Sequence, residues 1–200
     1  MKSSAKLTAL CGLLILAGLL SSGCDNHDGS EWQRLVCEVS SVNEGAPLVS
    51  AYINVGGDGV AGGGDDFTPI DTVPVMFRAR PYSNLVTLPE DGTYSWFHIT
   101  RYDLNWENTP GSGVDLTPHN IEGGAMDARI PVDADGEGSV LVVGVDMKNA
   151  DWFVDLGNGN IGSFQANAHL TFYGRESGNA NEVSLDGGLR VHFIPAVVEN

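Results

Sequence analysis

The sequence is short of cysteine and of basic residues, and each shortage excludes a class of protein. Its 200 residues include three cysteines, and ten lysines and arginines stand against 26 acidic residues, for a net charge of −16. Two of the cysteines lie in the first 24 residues, so no pair is left for a disulfide in the rest of the chain. A surface this acidic repels phosphate backbones, so we expect no nucleic-acid partner, although it could attract cations or a basic protein.

A long apolar run is missing as well. The run at Leu7–Leu20 has 14 residues, whereas a helix that crosses a membrane needs about 20. Lys2 and Lys6 precede this run and no acidic residue does. A short basic segment followed by a short apolar one is the layout of a bacterial export signal.

The end of this export signal has a specific pattern. Small residues occupy positions 21–23 and are followed by Cys24. The pattern resembles the lipobox of bacterial lipoproteins, in which signal peptidase II cuts before a cysteine that carries diacylglycerol. The resemblance implies a signal peptide over 1–23 and a lipidated tether over 24–31, with the lipid on Cys24 as the membrane anchor. The alternative is an ordinary secretory signal that leaves Cys24 as a free thiol.

An anchor of this kind implies a location in the cell envelope, at the outer membrane or the cell surface. Asp25, directly after the lipid cysteine, resembles a signal for retention at the periplasmic face of the inner membrane in some enteric bacteria, so that location stays open. Removal of the signal would leave eight basic residues against 26 acidic ones, a net charge of −18. Acidic surfaces of this kind keep exported proteins soluble.

The remaining residues, 32–200, suffice for one domain that buries roughly 70% of its unfolded surface. No stretch of a dozen residues has a helical period, and short β-rich runs recur between turn signals. We expect strands near 32–42, 48–55, 73–80, 93–106, 125–132, 138–147, 163–174 and 182–194. This pattern predicts an all-β fold, an antiparallel β-sandwich of immunoglobulin-like type, with a β-barrel as the second choice.

The clearest strand pair is the last one. Its sequence, TFYGRESGNANEVSLDGGLRVHF over 171–193, is similar to the closing hairpin of immunoglobulin-like lipoprotein domains of bacterial envelopes, which implies a fold and no activity. The alternation of apolar and polar residues predicts that His169 lies opposite Gly188 and His192 opposite Gln165. The two histidines would then be about 13 Å apart, too far to share a metal ion.

Two further strand predictions concern apolar residues. The segment VLVVGV at 140–145 is apolar on both faces, which is typical of a central strand. Cys37 shares the apolar face of its own strand with Leu35 and Val39. We therefore expect a buried, unreactive thiol at Cys37 rather than a nucleophile or redox site.

The segment 133–138 is the best candidate for a cofactor site. Asp133, Asp135 and Glu137 occupy positions 1, 3 and 5 of a calcium-loop pattern, and Gly138 is the sixth residue. The bidentate glutamate expected at position 12 is missing, so a polar hairpin turn is the alternative. Weaker acidic clusters occur at Asp58, Asp65, Asp66 and Asp71, and in the loop 155–162.

One predicted strand is rich in aromatic residues. Simple alternation places Tyr94, Trp96, His98, Tyr102 and Trp106 on the same face. If exposed, Trp96, Tyr102 and Trp106 would form a ligand-binding platform for sugar rings; otherwise they belong to the core. The run is apolar on both sides near Trp96, which indicates that a bulge near Thr100 exchanges the faces.

The sequence offers little for catalysis. The glycine pattern GxGxxG at 57–62 is followed by three acidic residues and by no helix, so it does not bind a dinucleotide. No nucleophile–base signature is present, and we expect a protein that is not an enzyme. The favoured function is a lipid-anchored protein-binding or assembly module with another envelope or extracellular protein as partner. The alternative is a carbohydrate-binding module, and calcium is the one possible cofactor.

Overall fold

The computed structural model describes residues 33–54, 69–83, 96–107 and 112–198. The chain divides into two units, 1–32 and 33–200, and the description concerns the second. Cys24 therefore lies outside the described residues. Within the described residues, no helix has the length and apolarity that a membrane crossing requires.

The described chain is mostly β-structure, which confirms the all-β class. The strands are β1 (Leu35–Val42), β2 (Leu48–Asn54), β3 (Asp71–Pro81), β4 (Trp96–Glu107), β5 (Ile121–Pro131), β6 (Ala134–Val143), β7 (Phe164–Glu176) and β8 (Val183–Val198). Short 3₁₀ turns occur at Asn43–Gly45 and Thr117–His119.

Two short helices depart from the sequence prediction, which contained none. They are α1 (Val145–Lys148) and α2 (Asp151–Gly157). Neither is long enough to show a helical period in the sequence. Tertiary packing holds them, because Met147, Phe153 and Leu156 are all buried.

The strands form two sheets. One sheet has the order β1-β3-β6, and the other has the order β2-β8-β7-β4-β5. The larger sheet is curled into a half-barrel. β5 and β6 are joined by a two-residue turn at Val132–Asp133, so this hairpin passes from one sheet to the other.

The sheets correct two of the sequence predictions. The predicted antiparallel arrangement is wrong for β2, which pairs in parallel with β8 because the chain crosses from one sheet to the other after β1. The segment 140–145 is not a central strand, since β6 lies at the edge of the smaller sheet among the described strands and ends at Val143. Val140, Val142 and Val143 are buried, whereas Val145, at the start of α1, is 57% exposed.

The predicted bulge in β4 is confirmed. The pairing of β4 with both of its neighbours shifts between Ile99 and Arg101. Phe97 and Ile99 are buried before the shift, and the buried face then continues with the residues Tyr102, Leu104 and Trp106. A single extra residue thus moves the second half of the aromatic strand into the core.

The closing hairpin has the predicted register. His169 lies opposite Gly188, and Gln165 lies opposite His192. Cys37 is also buried as predicted, with 5% of its surface exposed. Burial raises the pKa of its thiol to about 12.

A buried carboxylate fixes the first described residues to the larger sheet. Glu176, at the end of β7, is 2% exposed. It accepts hydrogen bonds from the backbone N–H groups of Arg34 (2.7 Å) and Leu35 (3.2 Å), and from Nε of Arg34 (2.7 Å). Arg34 and Leu35 therefore lie beside the β7–β8 turn. We call this end of the larger sheet the N-terminal end.

Candidate functional site

Two of the three predicted aromatic ligand residues are in the core. Tyr102 is 3% exposed and Trp106 is 4% exposed. The hydroxyl of Tyr102 accepts a hydrogen bond from the N–H of Leu141 (3.1 Å) and donates one to its carbonyl (3.2 Å). Burial raises the pKa of this hydroxyl. Of the two alternatives that the sequence left open, the core therefore holds Tyr102 and Trp106, because the bulge turns both side chains inward.

Trp96 precedes the bulge and lies on the outer face of the larger sheet. It is half-buried, and the guanidinium of Arg129 lies 5.1 Å from the centre of its ring. The ring of His98 lies 5.5 Å away in an edge-to-face arrangement. Nε2 of His98 in turn contacts Oδ1 of Asp127 at 2.6 Å. Trp96 thus sits among polar and cationic groups rather than in an aromatic row.

The three predicted calcium ligands lie along the β5–β6 hairpin. Asp133 is in the turn, with φ of 55°, and Asp135 and Glu137 follow on β6. Asp135 faces Arg78 across the strand pair, with 4.0 Å between Oδ1 and Nε. No group of three His, Cys, Asp or Glu side chains close enough to hold a metal ion occurs in the described part of the chain. An extended strand spaces alternate residues too widely for convergence on one ion.

The weaker acidic clusters lie partly outside the described residues. Asp58, Asp65 and Asp66 lie outside the described residues, as does the glycine pattern 57–62. Asp155 belongs to α2 and accepts a hydrogen bond from the side chain of Asn160 (3.1 Å).

A buried polar cluster was missed by the sequence reasoning. The side chain of Lys148 is 2% exposed, and Nζ lies 2.9 Å from Oδ2 of Asp71, 2.9 Å from Oγ of Ser50 and 3.2 Å from the carbonyl of Ala51. The ring of Phe153 lies 4.6 Å from Nζ. One signal was available, because Lys148 is the single lysine that follows Lys6.

The chemistry of this cluster is structural rather than catalytic. A serine beside a lysine of lowered pKa is a nucleophile–base pair in some hydrolases, and burial does lower the pKa of Lys148, with Asp71 opposing that effect. However, Ser50 is completely buried, and its hydroxyl donates to Oδ2 of Asp71 (2.7 Å). A substrate has no access to that oxygen. The cluster links β2, β3 and α1, and therefore joins the two sheets.

Residues 191–193 of β8 are paired on both sides, but the stretch before them is paired only with β7. β7 pairs with β8 residues 183–193, and β2 pairs with residues 191–198. On the side away from β7, the stretch 183–190 has no strand partner in the part of the chain that the structure describes. We call this stretch the open half of β8. An unpaired strand edge presents backbone N–H and C=O groups that another strand can bind.

A groove of about 570 Å³ lies beside the open half of β8. It is lined by the turn Gly45–Pro47, by Asn167 and His169 of β7, and by Gly188 and Arg190 of β8. A Cβ atom on Gly188 would meet no other atom within 4 Å. The glycine therefore leaves space at the strand edge that a partner's side chain could fill.

The turn beside this groove has an unusual backbone. Asn43, Glu44 and Gly45 have φ values of 50°, 55° and 80°, all in the left-handed region. For a residue other than glycine this conformation costs about 1–2 kcal/mol. The side-chain amide of Asn43 donates to the carbonyl of Ala46 (2.9 Å), which holds the turn in place. Strained backbone of this kind clusters at ligand clamps and other functional sites.

Comparison with known proteins does not identify a family. No protein-family model matches the chain, and no curated protein matches it. The features on which a proposal can be based are therefore the open half of β8, its groove, and the outer face around Trp96.

Proposed function

We propose that this protein is a lipid-anchored component of a bacterial cell envelope that binds another protein and performs no catalysis. The lipobox-like sequence before Cys24 supports the anchor and a place at the outer membrane or cell surface. The two-sheet architecture is compatible with an immunoglobulin-like sandwich, which we propose as the fold family. The observation that carries the binding function is the open half of β8.

The proposed mode of binding is strand addition. An extended segment of the partner lies along residues 183–190 and hydrogen-bonds to the backbone edge, as a continuation of the line of β2. Backbone hydrogen bonds supply affinity, and side-chain pockets supply specificity. Ser184, Asp186 and Arg190 are exposed on the outer face of this stretch. The charges of Asp186 and Arg190 limit unspecific edge-to-edge pairing, as expected for a natural strand edge.

The inner side of the open half is already filled. A Cβ atom on Gly187 would lie 3.2 Å from Cγ2 of Val42 and 3.5 Å from Cγ1 of Val39. Side chains of β1 thus cover this glycine, and the space for a partner is at the edge and in the groove beside Gly188. The glycan-binding alternative keeps only Trp96 of its three aromatic residues.

Site-specific cross-linking in intact cells tests this proposal. A photo-reactive residue at Ser184 should capture one defined protein. The matched control is the same residue at Arg78, which is also exposed but lies on β3, where it is paired on both sides. Capture of no protein at Ser184, or of the same proteins at both positions, would contradict the proposal.

A groove-filling variant provides a second test. Gly188→Trp should abolish capture without unfolding the domain, because a Cβ atom at that position meets no neighbour. Gly162→Trp is the control, since Gly162 is equally open and lies in the segment before β7. Unchanged capture by Gly188→Trp would exclude the groove from the binding surface.

A further inference from the structure

The outer face of the larger sheet carries a row of cationic side chains at the N-terminal end. His98 of β4 lies opposite Arg129 of β5 on one side and opposite Arg175 of β7 on the other. Neighbouring strands are about 4.8 Å apart, so the row spans roughly 10 Å. Residues directly opposite each other in a sheet point to the same face. The three side chains therefore project from the same face of the sheet.

Trp96 adjoins this row. It lies two residues before His98 and thus on the same face of β4. A depression of about 400 Å³ is lined by Trp96, His98 and Arg175, and by the β7–β8 turn at Ser177–Ala180. Its volume is within the range of small-molecule sites. It combines a partly exposed aromatic ring with cationic and backbone polar groups.

Among the described residues, the charge balance around this depression is opposite to that of the chain. Nearby carboxylates already have partners: Asp127 contacts His98 at 2.6 Å, Glu176 is buried against Arg34, and Glu182 contacts Arg101 at 2.6 Å. Arg175 is exposed, and no hydrogen-bond or ion-pair partner for it occurs among the described residues. It is therefore available to an anion.

We propose that this depression binds a short saccharide whose sugar ring carries a carboxylate. The sugar ring packs its C–H face on the indole of Trp96, an aromatic surface suited to such contacts. The carboxylate pairs with the planar guanidinium of Arg175, which can form two parallel hydrogen bonds. Arg129, opposite His98 on β5, adds positive potential on the same face.

The rest of the surface limits what else can bind there. The acidic remainder of the chain repels long polyanions such as nucleic acids, so a short ligand with few charges fits best. This site is distinct from the strand edge proposed for the protein partner. It uses side chains on the outer face beside the β7–β8 turn, and Arg175 lies six residues along β7 from His169, the residue opposite Gly188. The inference therefore stands or falls independently of the protein partner.

Binding of two saccharides to the full chain, purified in detergent, tests the proposal. Trigalacturonate is the acidic probe and maltotriose the neutral one, followed by tryptophan fluorescence and by calorimetry. We expect trigalacturonate to bind at least about tenfold more tightly than maltotriose. The affinity should fall as salt is raised from about 0.05 M to about 0.5 M, because salt screens exposed charge pairs.

Two arginine variants localise the site. Arg175→Gln should weaken trigalacturonate binding by about tenfold or more, the effect of losing a charge-assisted pair. Arg101→Gln is the matched control on the same face, since Arg101 is held by Glu182 and lies 3.6 Å from the ring centre of Tyr173. We expect Arg101→Gln to change the affinity by less than about twofold.

Several results would overturn the proposal. If neither saccharide binds, the depression is not a saccharide site. If both bind equally well, the carboxylate has no role in recognition. If Arg175→Gln and Arg101→Gln weaken trigalacturonate binding equally, the carboxylate does not bind specifically to Arg175. Displacement of trigalacturonate by an equimolar amount of inorganic phosphate would mean a general anion site without sugar recognition.

Discussion

Replacement of Asp71 by asparagine is the sharpest test of the buried cluster around Lys148. The side chain of Lys148 is 2% exposed and donates all three of its ammonium hydrogens, to Asp71, Ser50 and the carbonyl of Ala51. Asp71→Asn keeps the shape and removes the one negative charge among these partners. The ammonium then stays buried without a counter-charge.

The expected cost follows from the burial of the pair. Removal of one member of a buried ion pair typically lowers the free energy of unfolding by about 3–5 kcal/mol. The asparagine carbonyl can still accept from Nζ of Lys148, so we expect a value near the lower limit, about 3 kcal/mol. For a domain of this size such a loss lowers Tm by roughly 6–12 °C.

The variant should also have a distinctive pH dependence. Burial lowers the pKa of Lys148, and Asp71 opposes this effect, so Asp71→Asn lowers that pKa further. Between the lowered pKa and the unfolded value of about 10.4, the unfolded chain binds the proton more fully than the folded protein does. The free energy of unfolding therefore rises with pH in this window. This rise begins at a lower pH in the variant. The difference in free energy of unfolding between the variant and the wild type therefore narrows as the pH increases.

Urea unfolding followed by tryptophan fluorescence, at several pH values, provides the measurement. Glu182→Gln is the control, because the pair of Glu182 with Arg101 is exposed and contributes about 0–1 kcal/mol. In the double variant Lys148→Met/Asp71→Asn most of the lost stability should return, since no charge is left buried. An effect of Asp71→Asn no larger than that of Glu182→Gln, or a difference from the wild type that does not change with pH, would refute the reasoning.

Three further predictions concern single side chains. Gly174→Ala should lower the free energy of unfolding by about 2–3 kcal/mol, because a Cβ atom there would lie 2.6 Å from a backbone oxygen of β4. Urea titration measures this change. Gly162→Ala is the control: its Cβ would have no neighbour within 4 Å, so its free energy of unfolding should stay within about 0.5 kcal/mol of the wild type. Tyr102→Phe should lower the free energy of unfolding by about 1–3 kcal/mol, because it leaves the N–H and C=O of Leu141 without the Tyr102 hydroxyl. An unchanged midpoint of urea unfolding would show that this hydroxyl does not stabilise β6. Burial raises the pKa of the Cys37 thiol to about 12, so this thiol should react with iodoacetamide only when the protein unfolds. Equal labelling rates for the native and the unfolded protein would contradict this prediction.

Local patterns predicted the parts of the fold that depend on neighbouring residues. The register of the closing hairpin followed from strict alternation on both strands and a short turn, which together allow one pairing. The bulge at Thr100 was visible because apolar residues occupied both faces of the strand just before it. The burial of Cys37 followed from the apolar residues two positions away on each side.

Other features depend on pairs that are far apart in the chain. The sequence separation between Ser50 and Lys148 is 98 residues, and no local pattern relates them. The row of Arg129, His98 and Arg175 exists because β5, β4 and β7 are neighbours in one sheet. An isolated arginine or histidine in an alternating strand indicates only an exposed face.

The sequence by itself determined the all-β class, the hairpin register, the bulge and the expectation of a lipid anchor at Cys24. These rest on periodicity and on short motifs, in which the interacting residues are close along the chain. Only the tertiary structure decided that β2 runs parallel to β8 and that, among the described strands, β6 lies at a sheet edge and residues 183–190 of β8 pair on one side. The order of the strands depends on how the two sheets cover each other's apolar faces. That packing brings together residues that are far apart in the sequence.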